Sequence, residues 1–192
     1  MTALTRLAVY CGSAPGGDQL YADAARDTGE AMAIRGIDLV YGGGKLGLMG
    51  IVADAVIAGG GRTYGVIPEA LVDLEVAHTG LTELHTVAGM HERKAKMTEL
   101  ADGFLVLPGG IGTLDELFEA WSWNALGYHA KPFCLVDIGG FWQGLTTFLD
   151  HVSSAGFISP NRRAQLLVAQ SPAEAIERLD EAARNASQAM VW

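Results

Sequence analysis

Positive charge is scarce in this chain. Lysine and arginine number 13 against 22 aspartate and glutamate, a formal net charge of −9 over 192 residues. Nucleic acids need a basic face for their phosphates, so general nucleic-acid binding is excluded as the main function. Cysteine is scarcer still. Cys11 and Cys134 lie too far apart for a zinc or redox spacing, and suit a reduced cytoplasm. The histidines, His78, His85, His91, His129 and His151, are scattered without zinc spacing, so neither a metal nor a cofactor is expected, and His91 and His129 read as structural. No apolar run approaches the roughly 18 residues that a membrane-spanning helix needs. The N-terminal MTALTRLAVYCGSAPGG lacks the basic start and long apolar stretch of a secretory leader. The expectation is a cytoplasmic protein with no membrane contact.

Apolar residues are plentiful at 49%, and charged residues make up 18%, which rules out disorder. The length fits one domain, over residues 1–192, with no linker, repeat or low-complexity segment. Strand-like runs fall at 7–10, 37–41, 63–67, 84–87, 103–107 and 132–136. Helix-like stretches fall at 19–35, 47–58, 90–100, 112–126, 141–154, 161–168 and 172–184. Several strand runs are nearly continuous in Val, Leu and Ile, as buried parallel strands are. The alternation predicts an α/β fold: a Rossmann-like, doubly wound parallel sheet flanked by helices.

Glycine is in excess, at 25 residues, and its placement is informative. Cys11-Gly12-Ser13 follows the first strand, Gly42-Gly43-Gly44 the second, and Pro108-Gly109-Gly110-Ile111-Gly112-Thr113 the fifth. Ligands of open α/β sheets bind at this carboxyl edge. A helix that opens after such a loop offers free N–H groups and a positive dipole end to phosphate. Tight turns alone would explain one glycine-rich loop; two on one edge point to a phosphate-bearing ligand. Gly42, Gly44 and Gly47, with Glu69 beyond, also fit a loose dinucleotide fingerprint, although they follow the second strand rather than the first. The ATP-binding loop fails, because Leu46 follows Lys45 where Ser or Thr is needed.

Arg93, Lys94 and Lys96 form a cationic cluster that is either a solvated helix face or an anion clamp. In the helix after the PGGIGT loop, Leu114, Leu117, Phe118 and Trp121 make one face, and Asp115, Glu116 and Glu119 the opposite one. Those acids either face water near the helix dipole or set a carboxylate one turn above a bound phosphate.

Taken in order, Gly42-Gly43-Gly44-Lys45-Leu46-Gly47-Leu48-Met49-Gly50, Met90-His91-Glu92-Arg93-Lys94, and Pro108-Gly109-Gly110-Ile111-Gly112-Thr113-Leu114-Asp115-Glu116 resemble the signature of the LONELY GUY (LOG) family, cytokinin riboside 5′-monophosphate phosphoribohydrolases once labelled lysine decarboxylases. Leu126-Gly127-Tyr128-His129-Ala130-Lys131-Pro132 follows, and the resemblance runs from Val9 to about Ile158. It implies a homodimer that hydrolyses the N-glycosidic bond of AMP or N6-prenylated AMP to free base and ribose 5-phosphate. It implies Arg93 and Glu116 as the catalytic pair. Lys94, Gly109, Gly110, Ile111, Gly112 and Thr113 would hold the nucleotide, with Asp115 beside them, and Glu75, Ser122, Gly43, Gly44 and Ser13 would complete the substrate contacts. Ser122 stands where members more often have Thr, and Ala125 replaces a common Gln. Met49, Met90, Trp121 and Trp123 are either core or the lining of a prenyl pocket. The alternative readings are a nucleotide or cofactor carrier without turnover, as in molybdenum-cofactor carriers with a PGGxGT loop, and an NAD-linked enzyme.

Overall fold

The computed structural model describes residues 4–73 and 76–189, with side chains through 186. Short runs of Val, Leu and Ile become strands because both of their faces can be buried, and the amphipathic stretches between them cover those faces. The order is β1 (Arg6–Tyr10), α1 (Gln19–Ile34), β2 (Asp38–Tyr41), α2 (Gly47–Ala58), β3 (Thr63–Pro68), β4 (Glu83–Val87), α3 (Met90–Leu100), β5 (Gly103–Val106), α4 (Ile111–Ala125), β6 (Phe133–Val136), α5 (Gln143–Ser154), α6 (Pro160–Gln165), β7 (Leu166–Ala169) and α7 (Pro172–Ala189). Among the described residues these strands form one sheet in the order β4-β3-β2-β1-β5-β6-β7. Every strand pairing in it is parallel.

Alternate residues of each strand serve opposite layers, as the two-residue period requires. Leu7 and Val9 of β1 pack with Met32 of α1, Val52 and Val56 of α2 and Ile176 of α7. Ala8 and Tyr10 pack on the other side with Met97 of α3, Leu117 and Trp121 of α4 and Leu149 of α5. The doubly wound expectation therefore holds.

Two local expectations need correction. The helix expected over 161–168 ends at Gln165, and Leu166–Ala169 is instead a seventh strand in register with Phe133–Val136. Four consecutive apolar residues suit a buried strand as well as a helix, and only the open edge of β6 decides between them. The helix expected to open at Phe141 starts at Gln143, because the Trp142 amide donates to Asp137 Oδ1 at 2.7 Å and holds the preceding turn.

The order in which strands are added reverses beside β1. β2, β3 and β4 add on one side and β5, β6 and β7 on the other, so the first crevice lies between the carboxyl ends of β1 and β5. Cys11 sits at that edge and Cys134 inside β6, both buried. Burial and then the Glu116 carboxylate push the Cys11 thiol up, and burial pushes Cys134 up to about 12. Thiolates are the reactive form. The native protein should therefore show almost no reaction with Ellman's reagent at pH 8 and release two thiol equivalents in guanidinium. Rapid native labelling of either cysteine would contradict the packing described.

Candidate active site

Three loops interlock at the carboxyl edge. The Gly12 amide donates to Pro108 O at 3.1 Å, joining the β1 and β5 loops, and the Leu48 amide donates to Gly12 O at 3.0 Å, joining the β2 loop to both. Gly47 has φ +61°, and a Cβ there would overlap the Ser13 carbonyl. Only glycine allows that approach. Ser13, Gly109 and Gly110, with Tyr21, Leu48 and Phe141, line a cleft of about 220 Å³.

The opening of α4 borders this cleft. Its N-cap is Gly110, and no side chain caps it. Gly110 and Gly112 face open space, and Ile111 is 87% exposed, while Thr113 is buried with its side chain against Gly109. The first N–H groups of this helix and its positive dipole end are thus presented at the crevice.

Arg93 approaches from α3. That helix begins at a glycine cap, with Glu92 Oε2 reaching back to the Ala88 amide at 3.0 Å. Arg93 is only 4% exposed. Its Nε donates to Val66 O at 3.1 Å and its Nη2 to Gly42 O at 2.9 Å, with Met90 Sδ 3.8 Å from Nη1. A Cβ at position 42 would overlap Nη2, so the first glycine of the β2 loop exists to admit the guanidinium.

Glu116, on α4, is 9% exposed. The sequence pattern set it on the polar face, yet it turns inward and Phe118 outward. Its carboxylate acts on the end of β1: after burial, it is the next cause raising both the Tyr10 phenol and the Cys11 thiol. Arg93 over β2 and β3 and Glu116 over β1 therefore occupy neighbouring strand ends of one sheet edge. Their helices are bridged one residue away. Lys94 Nζ donates to Asp115 Oδ2 at 2.9 Å and also pairs with Glu119, and His91 Nδ1 lies 3.2 Å from Glu119 Oε1. Lys94 and Asp115 thus hold each other and lock α3 to α4.

The remaining expectations divide. Ser13, Gly109, Gly110, Ile111, Gly112 and Thr113 are gathered at the crevice. Gly43 and Gly44 instead pair with a short strap, residues 76–78: the His78 amide donates to Gly43 O at 2.9 Å and the Lys45 amide to Val76 O at 2.9 Å. The Lys45 and Leu48 amides are thus occupied by Val76 O and Gly12 O, and these are N–H groups of the loop that a dinucleotide pyrophosphate would need, which argues against the NAD reading. Ser122 lies elsewhere, in a groove of about 200 Å³ with Phe118, Ala125, Phe157 and Arg162. Glu75 lies outside the described residues. Trp121 is core, Trp123 packs edge-on to His91, and Met49 and Met90 flank Arg93 and Gly42. Among the described residues, no group of three or more His, Cys, Asp or Glu side chains gathers to hold a metal, and no helix is long and apolar enough to cross a membrane. The strap went unread because its side-chain anchor, Asp54, lies 24 residues before His78 with no local signal.

A family profile described as possible lysine decarboxylase matches residues 49–179. Cytokinin riboside 5′-monophosphate phosphoribohydrolase LOG of Oryza sativa subsp. japonica is 45% identical over 97% of this chain and 77% of its own length. The chain belongs to the LONELY GUY family. A second member of that family, the phosphoribohydrolase LOG4 of Arabidopsis thaliana, is 44% identical over 92% of this chain and 82% of its own. The LONELY GUY fold is shared more widely. The Moco carrier protein of Chlamydomonas reinhardtii superposes with a TM-score of 0.72 at 19% identity, covering 94% of this chain and 98% of that one. The molybdenum cofactor binding protein of Rippkaea orientalis gives 0.67 at 18%, covering 97% of each chain. At such identities the likeness is one of fold.

Gly42→Ala should drive the guanidinium off these two carbonyls and cost roughly 2–4 kcal/mol of stability, since a buried charge would lose two of its acceptors. Gly112→Ala, whose added methyl meets open space inside a helix, should be neutral or stabilising by up to about 1 kcal/mol. Urea denaturation of both variants checks the contrast, and equal midpoints would refute it.

Proposed function

We propose that this protein cleaves the N-glycosidic bond of adenosine 5′-monophosphate or an N6-substituted relative, releasing the free base and ribose 5-phosphate. One observation carries the reading: a buried carboxylate, Glu116, and a buried guanidinium, Arg93, stand over adjoining strand ends beside the uncapped start of α4. The names of the family's curated relatives support it.

The 5′-phosphate rests on the N–H groups of Gly110 to Thr113, where the helix dipole favours an anion. The ribose then lies one turn along α4, beside Glu116. As the C1′–N9 bond breaks, its electron pair leaves with the purine and positive charge grows on the sugar. The Glu116 carboxylate stabilises that charge, takes a proton from the water whose oxygen bonds to C1′ and passes that proton to the departing purine nitrogen, so the base leaves neutral and the carboxylate is restored. Positioned proton transfer is worth ~10²–10⁴-fold. Arg93 keeps the carboxylate and substrate in register, and Lys94 with Asp115 maintains the spacing of the two helices.

The proposal extends to plain AMP as a substrate, to a cytoplasmic setting in which two free thiols persist, and to a homodimer. The dimer is supported by apolar side chains left on the surface, Ile111 and Phe118 of α4 and Phe157 beyond α5, the last 87% exposed. Incubation with AMP, isopentenyl-AMP, GMP and CMP, followed by chromatography of the bases, tests the reaction. Free adenine is expected, and intact bound AMP would instead favour a carrier. Glu116→Gln should lower kcat by ~10²–10⁴-fold while AMP still binds; full turnover by that variant would remove Glu116 from the chemistry. Light scattering should return twice the chain mass, and a monomer would refute the dimer.

A further inference from the structure

We infer that His78 is a positioning residue for this cleavage: its ring ties the 76–80 strap to α2 and, through the β2 loop, sets Arg93. The inference rests on the cleavage reading above and adds to it a residue outside the crevice.

His78 is 6% exposed and holds two partners at once. Its Nδ1 accepts the Gly80 amide at 3.0 Å, so that nitrogen carries no proton. The ring proton is therefore on Nε2, which lies 3.0 Å from Asp54 Oδ1 and donates to it. The tautomer is thus dictated by the Gly80 amide. Asp54 belongs to α2, the helix that the β2 loop opens. Loop, helix and strap form a closed triangle: the loop runs into α2, Asp54 of α2 grips His78, and His78 and Val76 of the strap bond back to Gly43 and Lys45 of the loop.

What the triangle controls is the partner of Arg93. Gly42, whose carbonyl accepts Nη2, directly precedes Gly43, whose carbonyl accepts the His78 amide. The other carbonyl on the guanidinium, that of Val66, lies in β3, and a Cβ on Gly43 would come within 3.4 Å of the Val66 nitrogen, so loop and strand are packed together there. The strap does not sit over the loop by relaxed geometry. Val76 has φ +49°, a left-handed conformation that a β-branched residue avoids unless its surroundings hold it. The neighbouring bonds to Lys45 and Gly43, and the His78 grip, are what hold it.

The Asp54 side chain is 65% exposed, so the tether can be cut from outside the core. Asp54→Ala removes the acceptor, and Asp54→Asn keeps an acceptor oxygen. Three readouts are taken on each folded variant: amide exchange at Lys45, His78 and Gly80, kcat and KM for AMP, and the thermal midpoint. Asp54→Ala should speed exchange at these amides and lower kcat about tenfold, since a small misplacement of an orienting group costs that much. The thermal midpoint should stay within a few degrees, and Asp54→Asn should restore most of both effects. Faster exchange with unchanged kcat and KM would overturn the role of His78, as would unchanged exchange. A kcat loss that merely tracks a collapsed midpoint, without rescue by Asp54→Asn, would reduce the tether to a structural bond and overturn it too. If the wild-type protein releases no adenine, the cleavage reading itself falls; if wild type cleaves and Asp54→Ala cleaves equally well, only this inference does.

Discussion

A charged guanidinium sealed between two backbone carbonyls is the contact on which this site depends. Burying Arg93 removes its hydration, and only well-placed acceptors make that tolerable. Gly42 O and Val66 O are two such acceptors, one in the loop after β2 and the other in β3. The contact therefore fixes α3, the β2 loop and β3 relative to one another. It also explains a sequence feature that has no other cause: position 42 must lack a side chain because the arginine occupies that space.

The site separates its electrostatic tasks. With a net charge of −9 the protein as a whole does not draw anions in. Local groups must do so, and the open start of α4 supplies peptide dipoles without adding a side-chain charge. The Lys94 ammonium is neutralised by Asp115 and Glu119, which makes it a brace between helices. Arg93 and Glu116 each lie one residue from that brace on their respective helices, so the ion pairs fix the spacing of the two helices that carry the buried groups.

Much of this was legible from residue order. Continuous Val-Leu-Ile runs and their glycine-rich exits marked six strands and the edge where the crevice lies. The seventh strand was not legible, because Leu166 to Ala169 is equally apolar in a helix or a strand and acquires its conformation from β6. The motifs marked Arg93 and Glu116, but helical spacing placed Glu116 on the outer face; the overhang of α4 across the end of β1 turns it inward. Lys94 was legible as a cation and not as a brace, since its partners lie on another helix. The His78 anchor was invisible for the same reason: pairing between distant residues leaves no periodic trace.

The central strand also carries a consequence for the order of assembly. Leu7 lies beside Leu39 on one flank and beside Gly103 on the other. During synthesis the first flank can zip early, but the second must wait until more than half of the chain has emerged. Ladders between distant segments close slowly, because loop entropy is lost before any contact is gained. Until then β1 has one bare edge, able to pair with another nascent chain. Crowded synthesis is therefore a circumstance in which that bare edge is open to wrong pairing.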